Sequence, residues 1–206
     1  DGVRVLRIGG NPVKPGGLRK LAKSKRLHAL EEINLYNYED DYAGAFIEEL
    51  ARNPVVTSLR VIEANNNFVT DAQGRALLER DDLGELEHLE ASFWHLEPDT
   101  WRALFSSKLG RKIKHLDIIS TKLRYEEDDQ REDERVVFEE LPDDVRFRLF
   151  RYETWGDTKG LGRSLAAPAF SQLESLELEY LPVGEATEAF TRPPLTETIL
   201  FIDADC

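Results

Sequence analysis

Residues 3–13 read VRVLRIGGNPV, and this stretch decides the fold of the chain. Apolar residues stand at its first, fourth and sixth positions (Val3, Leu6 and Ile8), and an asparagine stands at its ninth (Asn11). The sixth position follows the fourth by two residues, which is the period of a strand that buries one face. The asparagine amide can then satisfy main-chain groups of the turn that follows. The stretch therefore predicts a strand followed by a tight turn.

The same apolar spacing recurs along the chain at intervals of 26 to 31 residues. A further strand is predicted near the end, at Thr196-Ile199-Phe201. Neither the strand of a unit nor the segment that connects it to the next strand can bury its apolar face alone, so neighbouring units must stack. The units are Val3-Leu6-Ile8, Leu30-Ile33-Leu35, Val56-Leu59-Val61, Leu86-Leu89-Ala91, Ile113-Leu116-Ile118, Asp144-Phe147-Leu149 and Leu173-Leu176-Leu178.

Amphipathic stretches separate the strands and predict a helix in each unit. Thr70 and Gln73 have the spacing of a capping box, and Pro98 suits the first turn of a helix that carries Trp101 and Leu104. A helix after every strand implies a parallel sheet with right-handed crossovers. The middle apolar residue of each strand is then expected to join one buried column: Leu6, Ile33, Leu59, Leu89, Leu116, Phe147 and Leu176.

On these residues the chain resembles the leucine-rich repeat family, closest to its ribonuclease-inhibitor-like type, with bacterial-style degenerate repeats. VRVLRIGGNPV matches the family motif closely, and the other units match its L-x-x-L-x-L half. The resemblance implies an α/β fold, a right-handed β/α solenoid or horseshoe with one parallel sheet on the concave face and helices on the convex face. It also implies one domain over 1–206, with about seven to eight repeats, that binds another protein.

The charge of the chain is strongly negative and concentrated in one segment. The net charge is −13, and residues 126–144 hold 11 acidic and two basic residues. We expect an acidic insertion near 124–143, loop-like from about Glu126 to Glu134, whose deletion leaves the melting temperature nearly unchanged. Nucleic-acid binding is disfavoured because it requires clustered Lys and Arg.

Other features of the composition suggest the setting of the chain. It has one cysteine (Cys206) and no apolar run of membrane-spanning length, so we expect a cytoplasmic, monomeric protein without a membrane contact. The chain has no Met, and its first strand has no polar element to cap it. We therefore expect it to be part of a longer protein.

Residues that alternate with the buried strand positions are expected to face the concave surface. This surface mixes charges with apolar anchors, as protein-binding surfaces do, which predicts a non-enzymatic recognition module for a protein partner. The predicted contact residues are Arg7, Glu32, Asn34, Tyr36, Arg60, Ile62, His88, Glu90, His115, Asp117, Arg146, Arg148, Phe150 and Glu177.

Two alternatives to partner binding stay open. The H-L-E of one strand lies beside the H-L-D of the next, so His88, Glu90, His115 and Asp117 could hold Zn²⁺ or Mn²⁺ in a metal-binding site or a metal-dependent enzyme. A cross-strand charge-paired patch explains the same residues without a metal. The chain could also be an architectural spacer between other domains. The sequence has no G-x-S-x-G, H-E-x-x-H or C-x-x-C, so the main prediction is no enzyme, no cofactor and no metal.

Overall fold

The chain is an α/β protein in which most strands of the described residues form one parallel sheet. The acidic stretch from Glu126 to Glu134 lies outside the part that the structure describes, so the prediction of a loop there stays a prediction. The computed structural model describes residues 2–11, 13–36, 42–65, 67–83, 85–92, 94–119, 137–138, 140–153, 164–179 and 199–203.

Eight strands of the main sheet lie side by side in chain order, and every neighbouring pair is parallel. Two short strands, β4 (Val69–Thr70) and β6 (Trp94–His95), form a separate parallel pair. Each of them comes after a strand of the main sheet in the chain. The predicted parallel sheet is confirmed. Its strands are β1 (Val5–Arg7), β2 (Glu32–Asn34), β3 (Val61–Glu63), β5 (His88–Glu90), β7 (His115–Ile119), β8 (Leu149–Glu153), β9 (Ser175–Glu179) and β10 (Ile199–Asp203).

Four helices connect the first strands: α1 (Pro15–Ala22), α2 (Tyr42–Ala51), α3 (Asp71–Leu78) and α4 (Pro98–Ser106). Each helix packs against the next along the chain. Short 3-10 helices lie at Lys25–Ala29, Gly110–Lys112 and Pro168–Phe170.

The helix starts follow the sequence signals. The predicted capping box at the start of α3 is confirmed: Thr70 Oγ1 accepts from Gln73 N, and Gln73 Oε1 accepts from Thr70 N at 3.0 Å. Pro98 opens α4, whose Trp101, Leu104 and Phe105 are buried, as predicted.

The strand register confirms five members of the predicted column and corrects two. Leu6, Ile33, Leu89, Leu116 and Leu176 are in register across the sheet, but Ile62 takes the place of Leu59 and Phe150 that of Phe147. In β10, Leu200 rather than Ile199 lies opposite Leu176.

The correction in β3 has a physical reason. Residues 56–67 contain two overlapping frames with the same apolar spacing, and the frame used is Leu59-Ile62-Ala64, whose three side chains are fully buried. This frame also places Asn67 at the ninth position, where its Nδ2 donates to the main-chain oxygen of Asn65 in its own turn at 2.7 Å and to that of Leu35 in the preceding unit at 2.9 Å. Asn67 therefore serves its turn as Asn11 does, whose Nδ2 donates to the oxygens of Ile8 and Gly9.

In β8 the sequence again offers two frames that differ by three residues. The frame predicted from Asp144 would put a carboxylate into the core, which is costly for an unpaired charge. The structure instead buries Phe147, Phe150 and Tyr152 completely, and their rings pack against Phe138 and Phe170 or against each other.

Candidate functional site

One face of the sheet packs on the apolar core, and the opposite face, here called the polar face, carries the candidate residues. One side chain from each of seven adjacent strands lies in register across its middle. We call this line the central row: Arg7, Asn34, Glu63, Glu90, Asp117, Arg151 and Glu177.

Three neighbouring members of the central row are acidic: Glu63, Glu90 and Asp117. Adjacent strands lie about 4.8 Å apart, and like charges directly opposite each other destabilise a sheet. Asparagine amides partly offset the repulsion. Asn34 Nδ2 donates to Glu63 Oε2 at 2.6 Å, and Asn65 Nδ2 donates to Glu90 Oε2 at 2.7 Å.

Two histidines lie beside the acids on the polar face, each two residues before an acid of the central row on the same strand. His88 and His115 are in register on β5 and β7, and their rings meet edge to face with centroids 5.3 Å apart. The Nε2 of His88 is 3.1 Å from Oε1 of Glu90.

The surroundings of the two histidines move their pKa values in opposite directions. Burial alone would lower the pKa of His88, but the hydrogen bond with Glu90 and the charges of Glu90, Glu63 and Asp117 outweigh it, so the pKa is raised. Burial lowers the pKa of His115, and the nearby positive charges of His88 and Arg148 lower it further. His88 is therefore the more readily protonated of the two.

Asp117 is the most buried acid of the central row, with 6% of its surface exposed. Burial, with the charge of Glu90, raises its pKa to about 6, against the opposing charge of Arg151. Its carboxylate accepts hydrogen bonds from Ser92 Oγ at 3.1 Å, Arg151 Nη1 at 3.3 Å and Asn65 Nδ2 at 3.5 Å. These partners hold Asp117 in place within the sheet face.

A second line of charges lies where the chain enters each strand, and we call it the entry row. Signs alternate along most of it, and its members pair with each other. Arg4 binds Glu31 at 2.8 Å, Arg60 binds Glu87 at 2.7 Å, Lys114 binds Glu87 at 3.2 Å, and Arg148 binds Glu174. The row consists of Arg4, Glu31, Arg60, Glu87, Lys114, Arg148 and Glu174.

Most of the predicted contact residues reach the polar face, but two are buried and two others lie in a different row from the one predicted. Ile62 and Phe150 are fully buried in the core and cannot anchor a partner. Arg60 and Arg148 belong to the entry row, where acids neutralise them. The register errors in β3 and β8 explain all four placements.

The remaining predicted residues have the following positions. Tyr36 follows β2, and its main-chain nitrogen donates to Asn34 Oδ1. Arg146 precedes β8 and donates to the main-chain oxygen of Val145. The others lie on strands of the polar face: Arg7, Glu32, Asn34, His88, Glu90, His115, Asp117 and Glu177.

Sequence reasoning missed two members of the central row, Glu63 and Arg151, and the supporting residue Asn65. An available signal was Asn67, because an asparagine at the ninth position selects the frame that puts Glu63 on the polar face. Asn65 lies just past β3, and its position follows from the frame of that strand, which was predicted wrongly.

The possible metal ligands also differ from the predicted four. Among the described residues, the group whose donor atoms converge is Glu63, His88 and Glu90, with one ligand atom of each within 4.8 Å of the other two. His115 and Asp117 do not join this group. The carboxylate oxygens of Asp117 instead accept hydrogen bonds from Ser92 and Arg151.

Models of known protein families gave no match to the chain, and a search among curated proteins gave none. Within the described part of the chain, no helix has both the length and the apolar character needed to cross a bilayer.

Proposed function

We propose that this chain is a leucine-rich repeat solenoid whose concave sheet face recognises a protein partner without catalysing a reaction. The repeat spacing, the sheet order that follows the chain and the contacts between successive helices support a right-handed β/α horseshoe over 1–206. Asn11 and Asn67, which each donate to the main-chain oxygen of the residue two positions before them, support the family assignment.

A single observation carries the binding proposal: an acidic centre on an otherwise self-paired sheet face. Within the described residues, Glu63 has no ion-pair partner and Glu90 has His88 alone. The acids of the entry row, by contrast, are neutralised by neighbouring arginines and a lysine. Charge on a surface that remains unpaired is available to steer and orient a partner of opposite sign.

The partner that fits this face carries exposed basic groups. Polar side chains surround the acidic centre, with Asn34, Asn65 and Ser92 as hydrogen-bonding neighbours and the His88–His115 ring pair beside them. Because Ile62 and Phe150 are buried, charge and hydrogen bonding contribute more to this interface than apolar anchors do.

The test compares partner binding by the polar face with binding by the helical side. A protein captured by the wild-type chain is purified, and its Kd is measured with two charge-matched double variants. Glu63→Gln with Glu90→Gln removes two acids from the central row. Glu79→Gln with Asp99→Asn removes two exposed acids from the helical side.

We expect the central-row variant to raise Kd by about tenfold or more, since each lost charge pair weakens binding by about 1 kcal/mol or more. The helical-side variant should leave Kd unchanged. The reverse pattern would move the site to the convex face. If both variants bind the partner as tightly as the wild type does, the result would favour the architectural spacer, which tolerates charge changes over the whole face.

A further inference from the structure

The acidic centre of the polar face has a composition that suits a small cation as well as a protein. Glu63 and Glu90 are direct neighbours on β3 and β5, and within the described residues neither has a lysine or arginine partner. Two facing carboxylates without a cation destabilise a sheet, and a bound cation would remove that repulsion.

A nitrogen donor stands next to the two carboxylates, which separates this group from an ordinary acidic patch. The Nε2 of His88 lies 3.1 Å from Oε1 of Glu90, and one atom from each of Glu63, His88 and Glu90 lies within 4.8 Å of the others. A tetrahedral ion with bonds of about 2.1 Å holds its ligand atoms about 3.4 Å apart. Small side-chain rotations therefore bring the three donors to bonding distance.

The carboxylates are also oriented by other side chains. Asn34 holds one oxygen of Glu63 and Asn65 holds one oxygen of Glu90, while Glu90 Oε1 faces His88. Neighbours that hold the second oxygen of a ligating carboxylate are a common feature of metal sites. Asn34 lies on β2 beside Glu63 on β3, and Asn65 follows β3 beside Glu90 on β5. The ligands and their supporting residues therefore span three neighbouring strands.

The geometry points to a divalent metal site in which Glu63, His88 and Glu90 bind Zn²⁺ or Mn²⁺. The metal would bind His88 Nε2 in the neutral tautomer that carries its proton on Nδ1, so an imidazolium loses its Nε2 proton to solvent when the metal binds. One imidazole nitrogen with two carboxylates favours these ions over Ca²⁺ and Mg²⁺, which prefer oxygen ligands alone. Three protein ligands leave at least one position open for water or another small ligand.

Calorimetric titration of the chelator-treated full chain with ZnCl₂, and separately with MnCl₂, tests the site. We expect one ion per chain and a rise in Tm with added metal, since an ion that binds only the folded state stabilises it. Glu63→Gln and His88→Ala should each raise the metal Kd by about 100-fold, because each removes one of three ligands. Circular dichroism of each variant checks that the fold is retained.

Matched controls lie on the same face. His115→Ala removes the neighbouring imidazole and Glu177→Gln removes another carboxylate of the central row, and both should bind metal as the wild type does. Absence of binding at millimolar metal would overturn the site. Binding that survives both Glu63→Gln and His88→Ala, or Ca²⁺ binding as tight as Zn²⁺ binding, would overturn it too. If His88→Ala fails to fold, the near-isosteric Glu63→Gln decides alone.

Discussion

The entry row and the central row cross the same sheet, yet their charges are arranged in opposite ways. Along most of the entry row, basic and acidic residues alternate, and pairs such as Arg4–Glu31 and Arg60–Glu87 neutralise each other. The central row instead places three acids on successive strands. Charges that pair across strands stabilise their own sheet modestly, whereas charges that crowd together destabilise it. This difference is the basis of our proposal that the central row serves binding, whereas the entry row serves the fold.

The comparison depends first on the register of β3, which places Glu63 in the central row. Ile62→Ala should lower the free energy of unfolding by about 2–5 kcal/mol, because Ile62 is fully buried beneath the sheet. Val61→Ala, on the half-buried polar side of the same strand, should lower it by less than about 1 kcal/mol. Urea unfolding of the two variants measures both values. A larger loss for Val61→Ala would restore the other frame and remove Glu63 from the site.

The burial of Asp117 within the central row gives a prediction about pH. Its pKa in the folded chain is about 6, above the ordinary 3.8, so the folded state holds this proton more tightly than the unfolded state. The contribution of Asp117 to stability must therefore fall as pH rises from about 4 to about 6, by up to about 3 kcal/mol. Asp117→Asn should lack this fall and be more stable than the wild type near neutral pH.

Urea unfolding at a series of pH values measures the difference between the wild type and Asp117→Asn. Glu90, which raises the pKa, and Arg151, which lowers it, remain in both proteins. A constant difference for Asp117→Asn would show that its carboxylate is not buried as described.

The smallest predicted effect is a difference in sign between the two rows. Glu63→Gln should raise the free energy of unfolding by less than about 1 kcal/mol, because it relieves repulsion from Glu90 while the new amide oxygen can still accept from Asn34. Glu87→Gln should lower it by less than about 1 kcal/mol, because Arg60 and Lys114 lose their shared partner. Both changes should shrink with added salt. Equal signs would mean that the rows do not differ in charge balance.

The apolar spacing predicts the architecture well because each strand needs its buried positions. Leu30-Ile33-Leu35 and Leu86-Leu89-Ala91 each allow a single frame, and both strands lie where predicted. Residues 56–64 and 144–152 allow two frames, and local spacing alone cannot choose between them. The choice depends on which side chains fill the core between neighbouring strands, which is a tertiary property.

The candidate site could be predicted only where the apolar spacing of a strand allows a single frame. His88, Glu90, His115 and Asp117 lie on β5 and β7, where the frame is unambiguous, and the structure does bring them to one face. Glu63 was lost with the frame of β3. The partners of Asp117, which are Ser92, Asn65 and Arg151, come from three different units. Such contacts depend on side-chain conformations and on strand order, so no local pattern predicts them.

The most direct test of the central claim compares partner binding after matched changes in the two rows. Glu63→Gln with Glu90→Gln removes two acids from the central row, and Glu31→Gln with Glu87→Gln removes two acids from the entry row, so both variants lose the same charge. For the captured and purified partner, the central-row variant should raise Kd by about tenfold or more, and the entry-row variant should leave it within about twofold of the wild type. Loss of binding by the entry-row variant, with full binding by the central-row variant, would contradict the claim.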